Sequence, residues 1–389
     1  MTLIARDLGS AVRGGPRRPL KPLAARAAVA VGTLMFIGGA ARAATMDRPS
    51  EGYVYFHRAG ADMARHDAAI DACIAEVKGT LEPYIFRVPS GPLTALALMP
   101  VREAQQRAAD RTAFDANLEN CMVARGWDVV RVDDAEGKQL ASLPQPQLAA
   151  TLAAWVGAPQ PHGQIVRQYA PIDTQTFKGG VEETLGPPNL SVAAGVHDLK
   201  QLDTPPLDPR PAQWRQLKTD AKPGAGASLI VVSLTTSGAA EPGKWTFVRM
   251  DEPAAQTPPG LTYFTLAGPA KAGNGSAPQV KTFAVSVPPG RWRLEAVGRV
   301  SLCLGGPAFD VGAGEAVFAG AFDSAHPYAP AMTTAGVADA ALAARLKPAN
   351  WTNGEAFDCS ALQPPIIDLL ELPGAPFADG YAAGSHAPR

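Results

Sequence analysis

The stretch Val280 to Phe322, VKTFAVSVPPGRWRLEAVGRVSLCLGGPAFDVGAGEAVFAGAF, constrains the fold more than any other part of this chain. Phe283, Val285 and Val287 alternate with small or polar residues, which sets them on one face of a strand. Pro288-Pro289-Gly290 then turns the chain, with a glycine free to take a positive φ. Trp292, Leu294 and Ala296 alternate again beyond the turn. A period of two on both sides of a turn is a β pattern, because a helix needs its apolar residues three and four apart.

The same pattern recurs around this stretch. Expected strands are Leu229–Leu234, Trp245–Met250, Leu261–Leu266, Thr282–Val287, Arg291–Val297, Ser301–Leu304, Ala308–Val311 and Ala316–Phe322. Short strands broken by Gly and Pro argue an antiparallel β-sandwich or barrel over residues 227–325. The turn motif P-x-G-x-W-x-L, at Pro288, Gly290, Trp292 and Leu294, resembles that of Ig-like and transthyretin-like modules of exported bacterial proteins. Phe309, Val311, Gly314, Glu315, Phe318, Gly320 and Phe322 resemble the ending of such modules. The resemblance covers about ninety residues and implies an Ig-like or transthyretin-like sandwich. It implies no particular function, since such modules serve binding, structural and regulatory roles.

The chain before this region reads as helical. In ADMARHDAAIDACIAEVKG, residues Met63, Ile70, Cys73, Ile74 and Val77 fall on one helical face, with Gly79 as a stop. In VREAQQRAADRTAFDANLENCMVARGW, residues Phe114, Leu118, Cys121 and Met122 form a second stripe, closed by Gly126. WDVVRV then alternates like a strand. The CMVARGW segment resembles the C-M-x-x-x-G-[WY] ending of small exported bacterial proteins and lipoproteins, which implies a disulfide-clamped helical unit over residues 44–138. Residues 139–226 read as a Pro/Gln/Gly-rich connector with one short helix, Gln147–Val156. Residues 326–373 read as a helical tail tied back to the sandwich, and residues 374–389 as a disordered C-terminus. The fold class expected is therefore α+β and multidomain.

Four cysteines, Cys73, Cys121, Cys303 and Cys359, suit disulfides in an exported chain. Two amphipathic helices that bury their faces on each other bring Cys73 to Cys121. A Cys303–Cys359 bond would fasten the tail to the sandwich. The other two pairings would tie the helical unit to the sandwich across the connector.

Export is indicated by the first 43 residues. Arg6, Arg13, Arg17, Arg18, Lys21 and Arg26 precede an apolar run, Ala27 to Ala40, and the A-x-A site Ala41-Arg42-Ala43. The run is short for a membrane span, which needs about 20 apolar residues. An uncleaved anchor is the alternative to a removed signal. RRPLK is similar to a twin-arginine signal, although a proline follows the pair. Residues 1–43 hold seven of the 35 basic side chains and one of the 36 acidic ones, so cleavage before Ala44 leaves a net charge of −7. That balance disfavours nucleic-acid binding.

Motifs for chemistry are sparse. No G-x-S-x-G elbow, H-E-x-x-H, Walker loop or helix-opening G-x-G-x-x-G occurs. The histidines are His57, His66, His162, His197, His326 and His386. His66, Asp67, Asp71 and Glu76 suggest a metal site, with solvated charges on a helix as the plainer reading. His326 reads as a surface histidine, and Glu315 as a strand-edge charge. No metal and no cofactor are expected, because no ligand spacing calls for one, and no catalytic residue is assigned. The expectation is a periplasmic or secreted envelope protein that binds a protein partner or serves structure, with no stable membrane span after cleavage and no assigned oligomeric state. The alternative is a periplasmic hydrolase whose site joins loops of both domains. N-terminal sequencing of exported material should return Ala44 or a neighbour; an intact Met1 on membrane-bound protein would contradict the cleavage assignment.

Overall fold

The structure is a computed structural model. It describes residues 50–78, 111–169, 187–195, 215–219, 227–236, 243–250, 262–269, 277–298, 300–323, 326–332, 340–357 and 366–379, with residues 334, 337 and 359. The expected signal segment with its Ala43-Ala44 junction lies outside these, as do Gly79 and residues 380–389. No helix among the described residues is long and apolar enough to cross a membrane.

The N-terminal part is built on two helices and a small sheet. Helix α1 (Met63–Lys78) begins where the Asp62 carboxylate accepts from the Arg65 amide at 2.8 Å. Its stripe of Ile70, Cys73, Ile74 and Val77 is buried, as its spacing dictates. Helix α2 (residues 111–124) buries Phe114, Leu118, Cys121 and Met122. Its end is a paired turn: the Gly126 amide donates to Val123 O and the Trp127 amide to Met122 O. The facing stripes bring Cys73 and Cys121 into a disulfide. Strands β1 (Val54–His57), β2 (Asp128–Arg131) and β3 (Gln164–Arg167) form an antiparallel sheet in that order.

More of the connector is regular than the sequence suggests. Helix α3 (Asp134–Ala141) crosses residue 138, capped by the Asp133 carboxylate on the Ala135 amide. Helix α4 (Gln145–Trp155) matches the one expected there, and α5 (Leu190–Ala194) follows, capped by Asn189. Leu148, Leu152, Leu190 and Val192 join the core of the N-terminal part, so these short segments do have apolar surface to bury. The remaining connector residues lie mostly outside the described ones.

The C-terminal part holds two sheets. Strand β4 (Arg215–Gln216) arises in the segment expected as connector, whereas β5 (Ser228–Thr236), β6 (Lys244–Arg249), β7 (Thr262–Ala267), β8 (Gln279–Val287), β9 (Gly290–Val297), β10 (Val300–Val311) and β11 (Ala316–Asp323) follow the expected strands closely. One difference is that Ser301–Leu304 and Ala308–Val311 belong to a single strand, β10. Gly305-Gly306-Pro307 breaks its register with β9 and does not turn the chain. Gly306 passes so close to β9 that a Cβ would stand 2.8 Å from Leu294 O.

Four further strands come from the segment expected as a helical tail: β12 (His326–Ala331), β13 (Lys347–Pro348), β14 (Thr352–Glu355) and β15 (Ile366–Leu369). Only α6 (Ala340–Ala343) is helical among its described residues. The larger sheet runs β14-β10-β9-β6-β7-β4, with β15 beside β10; the smaller runs β12-β11-β5-β8, with β13 beside β11. The pairing is not wholly antiparallel as expected. β5 runs parallel to β11, and β10 to β15, because the chain leaves each strand and returns to its edge only after building elsewhere. The Pro288-Pro289-Gly290 turn, with Gly290 at φ 143°, carries the chain between sheets: β8 pairs with β5, whereas β9 pairs with β6 and β10. Phe283 and Val285 therefore face Trp292, Leu294, Phe247 and Phe309 across a shared core. Residues 374–379, expected as disordered, are held by Asn353, whose amide donates to Pro376 O and whose carbonyl accepts from Ala378.

The described residues belong to one compact unit. Cys303 and Cys359 form a disulfide, and they pack with Ile367 and Leu369 into the same core as Cys73, Leu118 and Met122. At this junction the Asn117 Oδ1 accepts from the Ile367 amide at 3.0 Å, and the Asn120 Nδ2 donates to Ile367 O at 2.8 Å. Replacing Asn120 by Leu leaves that carbonyl buried without its partner, and should cost about 1–3 kcal/mol in urea unfolding followed by tryptophan fluorescence. A change below about 0.5 kcal/mol would show that the clamp does not hold the junction.

Candidate functional site

The arrangement closest to a reaction centre joins α1, β1 and α5. The His66 Nε2 lies 2.9 Å from Ser191 Oγ, and its Nδ1 lies 2.8 Å from Asp67 Oδ1. Trp127 meets the imidazole edge-on at 5.6 Å between centroids. A serine, a histidine and a carboxylate in that sequence are the parts of an acyl-transfer site. Each part is placed by local structure. Ser191 sits in the first turn of α5, its amide held by the Asn189 carboxamide at 3.0 Å, and His66 sits in the first turn of α1.

Two features argue that this array is a fastening. Ser191 and His66 are fully buried, whereas a nucleophile must meet its substrate. Ser191 Oγ also accepts from the Phe56 amide at 2.8 Å, which satisfies the outer edge of β1, where no strand pairs among the described residues. The hydroxyl thus joins a strand edge to a helix through a buried histidine. Asp67 alone reaches solvent, with 43% of its side chain exposed.

The other residues singled out by sequence are dispersed. His57 Nε2 donates to Ala158 O at 2.8 Å, beside Asp128, whose carboxyl is pushed up by burial against the opposing pull of His57. His162 is half exposed, stacks on Trp155 at 4.1 Å between centroids, and meets Glu136 at 3.0 Å. Asp71 is exposed on α1. Glu76 pairs with Arg125 at 2.6 Å. Glu315 is held below the usual carboxylate range by Lys347 and the Gly312 amide, and so braces the turn before β11. His197, His386 and the side chain of His326 lie outside the described residues. Among the described residues, no three His, Cys, Asp or Glu side chains converge as a metal-binding group.

Two buried polar networks lie among residues that the sequence reading did not single out. Arg167 donates to Glu119 Oε2 at 2.5 Å and to Asn120 Oδ1, while Glu119 also accepts from the Ser50 amide at 2.8 Å. Tyr169 donates to Glu371, which ties the end of β3 to the residues after β15. The second network lies in the sheet. Arg293 pairs with Glu295, donates to Leu302 O at 3.0 Å and to Glu355 O at 2.5 Å, and lies under the Phe357 ring at 5.1 Å. Ser301 donates to the other oxygen of Glu295 at 2.7 Å. Burial pushes the Glu295 carboxyl up, opposed by Arg293 and these hydrogen bonds. The one sequence signal was the tetrad Trp292-Arg293-Leu294-Glu295, a charged pair on the reverse face of an apolar strand.

No protein-family model matches the chain, and no curated protein or solved structure is significantly similar to it. The site must therefore be judged on its own geometry. Changing Ser191 to Ala removes the partner of both Phe56 N–H and His66 Nε2. It should destabilise the protein by about 2–3 kcal/mol in equilibrium unfolding; unchanged stability would contradict the fastening role.

Proposed function

We propose that this chain is an exported bacterial envelope protein that acts by binding or by structure, and that its two-sheet part is an Ig-like or transthyretin-like sandwich. The single observation that carries the reading is that Ser191 and His66 are fully buried and bonded to each other, with Ser191 Oγ taken up by the edge of β1. The two disulfides add weight, since each spans about fifty residues and removes about 4 kcal/mol of freedom from the unfolded chain. Bonds of this type persist in oxidising compartments, in keeping with a periplasmic or secreted location. A partner of the envelope would meet a scaffold whose helices and strands are cross-linked within themselves and hydrogen-bonded to each other.

The second reading, a periplasmic hydrolase, is favoured by one observation, the spacing of Ser191, His66 and Asp67. A fluorophosphonate probe separates the two. Incubated with the full-length protein, it should leave the Ser191 peptide unmodified by mass spectrometry. Stoichiometric labelling at Ser191, lost in His66→Ala, would overturn the binding or structural reading.

A further inference from the structure

The Cys73–Cys121 disulfide has a carboxylate beside it. Glu76 lies one helical turn beyond Cys73 on α1, and its Oε2 stands 3.2 Å from the Cys121 Sγ. The other oxygen, Oε1, accepts from Arg125 Nη2 at 2.6 Å, which aims the carboxyl group at the sulfur. Both cysteines are fully buried, whereas 29% of the Glu76 side chain is exposed. Glu76 thus spans the distance from a buried sulfur to water. Burial also pushes its carboxyl upward, against the opposing pull of Arg125, and so narrows its gap to a thiol.

From this geometry we infer that Glu76 is the proton acceptor for Cys121 in the step that closes the Cys73–Cys121 bond. A thiol is a nucleophile only after it loses its proton. Once α1 and α2 have docked, the Cys121 proton has no direct contact with solvent, and Glu76 supplies the path. Before α1 and α2 dock, while Cys73 is still accessible, a small or protein disulfide oxidant forms a mixed disulfide with it and releases one thiol. Cys121 then gives its proton to Glu76, and its sulfur attacks Sγ of Cys73. The Cys73–Cys121 bond forms, the bond to the oxidant breaks, and the oxidant leaves as a thiolate. Two cysteine thiols lose two electrons and the oxidant gains two. Glu76 returns the proton to water. Nothing in this step depends on what the mature protein binds.

The test uses the full chain, reduced and then reoxidised with excess oxidised glutathione between pH 6 and 9. Samples are quenched with acid and alkylated. Mass spectrometry follows the glutathione adduct on Cys73 and both disulfide peptides. In Glu76→Gln the adduct should close about ten-fold more slowly at pH 7, with the difference shrinking toward pH 9 as the thiol ionises unaided. Glu76→Asp should recover part of the rate, and closure of Cys303–Cys359 should be unchanged. Equal closure of Cys73–Cys121 in wild type and Glu76→Gln would overturn the inference, because closure would then precede docking of the helices. Equal slowing of both disulfides, or a deficit that does not vary with pH, would also overturn it by making Glu76 a packing residue.

Discussion

The hydrogen bonds from Asn117 and Asn120 to the backbone of Ile367 are the interaction on which the rest of the structure depends. β15 is an added strand beside β10, and a strand added at the end of a sheet leaves backbone groups unpaired. Two carboxamides one helical turn apart on α2 take the place of a neighbouring strand. They accept from the amide and donate to the carbonyl of one residue. Arg167 fixes Asn120 from the other side, and Glu119 fixes Arg167. The helical part is thereby held in register with the sheet, and apolar contact alone would not select that register.

The buried charges and the disulfides serve the same end. Replacing a buried ion pair by apolar residues of similar volume is often neutral or stabilising, so Arg293 and Glu295 are weak evidence of stability in themselves. Their hydrogen bonds reach Leu302 O in β10 and Glu355 O in β14, which sets the position of the returning tail against β9. The Cys303–Cys359 bond then closes the same return covalently, and the Phe357 amide donates to Cys303 O at 2.9 Å beside it. The Cys73–Cys121 bond does the equivalent for α1 and α2. Each part is closed on itself by a disulfide and joined to the other by hydrogen bonds and a shared apolar core.

What was legible in the sequence follows from the range of the forces involved. Strand and helix identity depend on local periodicity. The stripes carrying Cys73 and Cys121, and the alternation of Phe283 to Leu294, were therefore readable and placed the cysteines correctly. Pairing direction depends on where the chain returns, so the parallel partners β5 and β11 could not be read from either strand. The tail looked helical because alanine-rich Gly336 to Ala349 favours a helix. The strands after it are fixed by contacts to β10 and β11 that lie far back in the chain. The candidate site was the least legible part. His66 was visible, but Ser191 lies 125 residues away in a segment that reads as a loop, and Asn117 lies 250 residues from its partner. No local pattern encodes contacts of that separation.

The central claim is that the helical part and the two sheets are one cooperative structure joined at Ile367. Differential scanning calorimetry of the oxidised protein tests it most directly. The account predicts a single transition with equal calorimetric and van't Hoff enthalpies. Two resolved transitions, one of them unaffected by Asn117→Leu and Asn120→Leu together, would contradict it.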